Sequence, residues 1–123
     1  MRGSRASVSN APPAVVHLTA DLLGVSASQL ADQSLICGVM VSAAGAAGMT
    51  ATGSPVVLRH PDTGLSVILP VDGCHMSIHT MPDRELAILD VLASPGHDTQ
   101  RALDVVTRRI VARTVRTERR TRG

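Results

Sequence analysis

The chain is expected to fold as an α+β protein. Its predicted form is a two-layer α/β sandwich, a mostly antiparallel sheet with two helices on one face, in the order β-α-β-β-β-α-β. Three observations predict it. Short runs rich in β-branched residues recur with partial alternation, two stretches carry apolar residues at helical spacing, and turn-forming sequences separate neighbouring strands. At 123 residues the chain is one domain, able to bury a single modest core.

Each element follows in order. Residues 1–13, with Arg2, Arg5 and the Pro12-Pro13 pair, lack the apolar run of a signal peptide. They read as a disordered leader to a single domain over residues 14–120. Residues 15–23 begin with Val15-Val16 and alternate in part, so they predict a strand ending at Gly24. Ser26-Ala27-Ser28 supplies a cap for a helix over residues 29–44, which places Leu30, Leu35, Val39 and Met40 on one stripe. Gly45 and Gly48 end it. Candidate strands at residues 50–58, 65–70 and 75–80 are separated by Pro61-Asp62-Thr63-Gly64 and Asp72-Gly73. A fourth, residues 86–92, follows Pro82-Asp83. The loop Ser94-Pro95-Gly96-His97-Asp98 leads to a second helix over residues 99–111, with Ala102, Val105, Val106, Ile110 and Val111 on its apolar side. A short last strand is expected at residues 114–117.

Composition narrows the function. Apolar residues make up 44 %, yet there is no Phe, Tyr or Trp, so the core must be aliphatic. Without aromatic side chains, base stacking on single-stranded nucleic acid has no platform, and no nucleic-acid partner is expected. All twelve basic residues are Arg, and eight of them lie between Arg101 and Arg122. Within it, the basic tail Arg113-Thr-Val-Arg116-Thr-Glu-Arg119-Arg120 reads as a solvated edge strand or frayed terminus in preference to a phosphate-binding tail. Two cysteines, Cys37 and Cys74, make no disulfide framework. No apolar stretch reaches the length of a membrane span. A reducing cytoplasm is the expected location, with Cys74 a free thiol and no membrane contact.

The most informative stretch is Gly73-Cys74-His75-Met76-Ser77-Ile78-His79-Thr80-Met81-Pro82. A nucleophile after a glycine and before two histidines looks like a self-cleaving junction. Attack of a side chain on the preceding carbonyl turns an amide into an ester or thioester; β-elimination then breaks the chain and leaves dehydroalanine, which hydrolyses to a pyruvoyl group. A glycine carbonyl is unhindered, and a thiol is a stronger acid than a hydroxyl. Histidine titrates near neutrality, which suits His79 to general-base work. On a regular strand, however, His75, Ser77 and His79 share one face and Cys74 falls on the other. Joining Cys74 to His79 within the chain requires a bend at Gly73. The same geometry puts His75 and His79 about 13 Å apart on a strand, too far for one zinc ion, so no metal is expected. The bland alternatives are a buried, inert Cys74 and an intact catalytic or redox thiol.

With Gly64-Leu65-Ser66-Val67 upstream and Asp90-Val91-Leu92 downstream, this stretch resembles the short bacterial S-adenosylmethionine decarboxylase proenzymes over roughly residues 15–120. The resemblance implies the same two-layer sandwich and a pyruvoyl cofactor, here derived from Cys74 by cleavage between Gly73 and Cys74. It also implies decarboxylation of S-adenosylmethionine for polyamine and spermidine synthesis, and a homodimer with its site near the subunit interface. By the same resemblance His79 removes the α-proton during elimination, Ser66 hydrogen-bonds the oxyanion, and Ser94 stands where the family has its proton-donating cysteine. His60 and Met81 align with the two aromatics that hold adenine, and Asp83 shapes the pocket. Four departures mark this chain: Cys74 replaces the pyruvoyl-forming serine, Ser94 replaces the cysteine, Gly73 replaces an acidic residue, and both adenine-stacking aromatics are gone. Three alternatives stay open: an unprocessed homologue using the Cys74 thiol directly, a non-catalytic binding paralogue, and a pyruvoyl decarboxylase of a basic amino acid received by Asp72 and Asp83.

Overall fold

The computed structural model describes residues 5–123. The expected leader lies partly outside that span; its described part, residues 5–13, is exposed and carries no helix or strand. Strand β1 (Val15–Leu23) is followed by a short helix α1 (Ala27–Leu30) and a longer one, α2 (Gln33–Ala46). Then come β2 (Val56–Arg59), β3 (Leu65–Val71), β4 (Cys74–Met81), a 3₁₀ turn (Pro82–Arg84), β5 (Leu86–Ala93), helix α3 (Thr99–Arg109) and β6 (Thr114–Arg122). All strand pairs are antiparallel, in the spatial order β2-β3-β4-β5-β1-β6.

Several boundaries differ from the sequence expectation, each for a local reason. The single helix over residues 29–44 is two helices, because Asp32 leaves helical geometry (φ −87°, ψ 99°) and caps α2 by accepting from Leu35 N at 3.1 Å. Gly45 lies inside α2, and the chain leaves the helix at Gly48, whose φ is +78°. The strand expected over residues 50–58 shrinks to β2, with one isolated bridge between Ala51 and Val71; Gly53 and Pro55 interrupt the rest. Four strands lie between α2 and α3, at the places of the four candidates, one more than the order β-α-β-β-β-α-β counts. At the far edge β6 outruns its expected four residues and pairs with β1 from Thr114–Leu23 to Arg122–Val15. Arg116, Arg119, Arg120 and Arg122 thus lie on a solvated edge strand, with charge on an edge that would otherwise recruit other strands, while Arg101, Arg108 and Arg109 lie on α3.

Alternation sets the layers. Leu18, Ala20 and Leu22 of β1, Leu65, Val67 and Leu69 of β3, and Leu89 and Val91 of β5 are buried beneath the helices. Ile36, Val39 and Met40 of α2 and Ala102, Leu103 and Val106 of α3 close the core from the other side. Each fully buried Leu or Ile stabilises the fold by roughly 1.5–3 kcal/mol, which replaces the missing aromatics by number. The opposite face of the sheet carries no helix. There Ile68 and Ile88 are 39 % and 37 % exposed among polar neighbours.

One buried polar residue fixes the geometry near β4. Thr80 Oγ1 donates to Leu30 O at 2.8 Å and accepts from Leu65 N at 2.9 Å, tying α1 and β3 to β4. Beside it, Gly64 has to be glycine, because a Cβ there would lie 2.5 Å from Thr80 O. That close approach starts β3 in the register that places Ser66.

Candidate active site

The Gly73–Cys74 junction occupies a tight hairpin. Asp72 (φ 37°) and Gly73 (φ 79°) are the two loop residues between paired Val71 and Cys74. Two successive positive φ values are the signature of the type I′ turn that Asp-Gly favours. Space around Gly73 is open, so the backbone angle demands glycine there and crowding does not. The turn is held from outside as well. Asp72 N donates to Thr50 O at 3.1 Å, Asp72 Oδ2 accepts from Thr50 N at 2.8 Å, and His97 Nε2 lies 3.5 Å from the same oxygen. Ser94 sits at this end too, two residues past the His75–Leu92 pair.

A second cluster lies at the other end of the same strands. Ser66 pairs with His79 across β3 and β4, and Ser66 Oγ is 2.7 Å from His79 Nδ1. His60 Nε2 reaches the same hydroxyl at 2.8 Å, with the two imidazole centroids 5.1 Å apart and tilted by 54°. The 61–64 turn holds His60 in place: His60 N donates to Gly64 O at 2.9 Å, and Thr63 N donates to His60 O at 3.1 Å. Met81 follows two residues past His79 on the same face of β4, and Asp83 is exposed in the 3₁₀ turn beyond it. Beside the pair, Ser77, Ile88 and Asp90 complete a shallow depression in the helix-free face.

These two clusters do not meet within one chain. Cys74 opens β4 in phase with buried Met76, Ile78 and Thr80, so its thiol faces the helix layer, half-buried against the core. Ser66 and His79 point to the open face. Five residue steps of extended chain lead from Cys74 to His79, about 16 Å along the strand. The bend at Gly73 that would bring them together is absent, since pairing is regular from Cys74 onward. Sequence reasoning missed the His60–Ser66 bond and the Asp72–His97 contact. The Ser66–His79 match was legible: counting back from a two-residue turn at Asp72-Gly73 sets Ser66 opposite His79. Contacts across long loops leave no such spacing.

Elsewhere, His17 Nε2 meets Asp90 Oδ1 on the open face, and an Arg122 guanidinium nitrogen lies 3.5 Å from His17 Nδ1. Burial pushes the Cys37 thiol pKa up from its ordinary value. Among the described residues, no group of three or more His, Cys, Asp or Glu is gathered to hold a metal ion, and no helix is long and apolar enough to cross a membrane.

Fold and site define a class: a two-layer α+β protein whose antiparallel hairpin carries a Gly–Cys turn at one end and a hydrogen-bonded His–Ser–His cluster at the other. A sequence profile described as S-adenosylmethionine decarboxylase matches residues 16–123. The chain belongs to the S-adenosylmethionine decarboxylase family. It is 35 % identical over 74 residues to the S-adenosylmethionine decarboxylase proenzyme of Symbiobacterium thermophilum, a match that takes in 60 % of this chain and 55 % of that protein. Its fold is similar to the crystal structure of the adenosylmethionine decarboxylase from Aquifex aeolicus VF5, with a TM-score of 0.82 and 26 % identity. That alignment covers 92 % of this chain and 93 % of the other.

Proposed function

We propose that this chain is a self-processing proenzyme that cuts its own Gly73–Cys74 bond and, as a pyruvoyl enzyme, decarboxylates S-adenosylmethionine for polyamine synthesis in the cytoplasm. The observation that carries the reading is the Ser66–His79 hydrogen bond on a hairpin whose exposed tip is the Gly73–Cys74 junction. One chain keeps these groups apart, so the working unit is a homodimer. If two helix-free faces pack about a two-fold axis running across the strands, strand direction reverses between the copies. The turn end of one hairpin then comes over the Ser66–His79 end of the other, and attack requires the Cys74 thiol to turn from the helix side toward that face. Ile68 and Ile88 provide the apolar centre of that face.

The chemistry balances with the residues present. Cys74 Sγ attacks the Gly73 carbonyl carbon as its proton departs, and Ser66 Oγ donates to the oxyanion. Collapse breaks the C–N bond, the amine of Cys74 takes a proton, and a thioester joins Gly73 to Cys74 Sγ. His79 Nε2 removes the Cα proton of Cys74; the Cβ–S bond breaks and its electron pair leaves with sulfur as a Gly73 thiocarboxylate. The dehydroalanine so formed takes up water and loses ammonia, which leaves a pyruvoyl group at residue 74. The junction suits that group: its turn is solvent-exposed, and Ser94 and His97 lie at the same end to move protons.

A pyruvoyl carbonyl supplies an electron sink for loss of carbon dioxide, a task otherwise met by pyridoxal phosphate. In this reading His60, bonded to Ser66, receives the small-molecule substrate together with Met81 and Asp83, which follow His79 in the chain. Without two aromatic walls the adenine loses on the order of 1 kcal/mol of stacking per ring, so weak substrate binding is expected.

Complementation tests both the cleavage and the dimer. Neither Cys74→Ala nor His79→Ala should process alone. Mixed and refolded together, the His79→Ala chain should be cut by His79 of its Cys74→Ala partner, up to the fraction present in mixed dimers. Absence of cleavage in the mixture, with wild type refolded in parallel being cut, would overturn the cross-chain arrangement. The half-buried position of Cys74 on the helix side favours one second reading, an unprocessed protein with an intact thiol. Wild type that stays whole selects it.

A further inference from the structure

Ser66 Oγ has two histidine nitrogens within hydrogen-bonding distance, His79 Nδ1 at 2.7 Å and His60 Nε2 at 2.8 Å. A hydroxyl has one proton to give and two lone pairs to receive with. If it gives its proton to His79 Nδ1, then His79 carries its own proton on Nε2 and has no free base nitrogen. If it gives that proton to His60, nothing is left for an oxyanion. Only one arrangement leaves both tasks open. His60 Nε2–H and His79 Nδ1–H both donate to Oγ, the hydroxyl proton turns toward the reacting carbonyl, and His79 Nε2 keeps its lone pair. Both N···O separations fit N–H···O bonds.

We propose that His60 is a positioning residue for self-processing: by donating to Ser66 Oγ it directs the serine proton to the oxyanion and fixes His79 as the Nδ1–H tautomer with Nε2 as base. This rests on the self-cleavage reading and deepens it. His60 touches no reacting atom; it acts through Ser66. The backbone supports the role, since the 61–64 turn bonds both His60 N and His60 O and so fixes the point from which the ring reaches Ser66. It also gives His60 a second task beside substrate contact, one that a hydrophobic ring at this position does not perform.

The test separates this proposal from the reading beneath it. Long-range 1H–15N correlation on uncleaved Cys74→Ala protein reads the histidine tautomers whether or not wild type processes. His79 should be protonated at Nδ1 and bare at Nε2, and adding His60→Leu should convert it to a mixture. A His79 protonated at Nε2, or one that His60→Leu leaves unchanged, overturns the proposal. In chains that cleave, His60→Leu should slow processing about tenfold, the worth of one net hydrogen bond, and His60→Gln, which keeps an N–H donor, should restore most of the rate. Equal slowing by Leu and Gln also overturns it. Failure of wild type to cleave, with the tautomers as expected, removes only the underlying reading.

Discussion

Replacing Thr80 with valine keeps the shape of a buried side chain and deletes its hydroxyl. Two partners then lose their bonds at once: Leu30 O, which accepts at 2.8 Å, and Leu65 N, which donates at 2.9 Å. Thr80 is 1 % exposed, so water does not reach the site to replace the hydroxyl. Each of the two unpaired buried polar groups costs about 1–3 kcal/mol, and the added methyl returns about 0.8 kcal/mol by burial, for a net loss of roughly 1–5 kcal/mol. That is a large share of the ~5–15 kcal/mol that holds a typical domain folded. The assay is urea unfolding followed by far-UV circular dichroism, because the chain has no Trp or Tyr to report by fluorescence. Protein concentration is held fixed, since the proposed dimer would make stability concentration-dependent. Thr80→Ser keeps the hydroxyl and should lose less than Thr80→Val. A Thr80→Val protein within about 0.5 kcal/mol of wild type would refute the claim that this hydroxyl bridges α1, β3 and β4.

Other expectations follow from single features. Gly73→Ala should cost about 1 kcal/mol through its φ of 79° alone, with no steric change, read by the same unfolding assay. Ile88→Glu places a charge on the open face and should turn the proposed dimer into monomer in analytical ultracentrifugation; an unchanged dimer places the interface elsewhere. Burial raises the Cys37 thiol pKa, so iodoacetamide should label Cys37 more slowly at neutral pH than an exposed model thiol, and faster as pH climbs through the raised value. Cys74→Ser should still be cut, its N-terminal fragment ending in a carboxylate and not in the heavier thiocarboxylate expected from wild type.

Alternation made most of the sheet legible: Val15–Leu23, Leu65–Val71 and Leu86–Ala93 each announce a strand with one face buried. The break at Asp32 was hidden, because the Leu30, Leu35, Val39 and Met40 stripe continues across it while the decision is made by one capping carboxylate. The length of β6 was hidden for the opposite reason. Its Arg and Thr residues carry little apolar signal, and pairing with all of β1 holds it in place. At the site, the Asp72-Gly73 turn could be named from its residues, and Ser66 and His79 from the family resemblance. The hydrogen bond from His60 depends on how the 61–64 turn aims a side chain, which no spacing encodes. Opposite faces for Cys74 and His79 follow from strand parity, and the regular hairpin keeps them so.

Intact mass of the purified wild-type protein, incubated at concentrations that favour dimer, bears most directly on the fate of Cys74. The expected result is two polypeptides, residues 1–73 ending in a thiocarboxylate or its hydrolysed carboxylate and residues 74–123 blocked by a pyruvoyl group. One full-length species whose Cys74 still alkylates contradicts it.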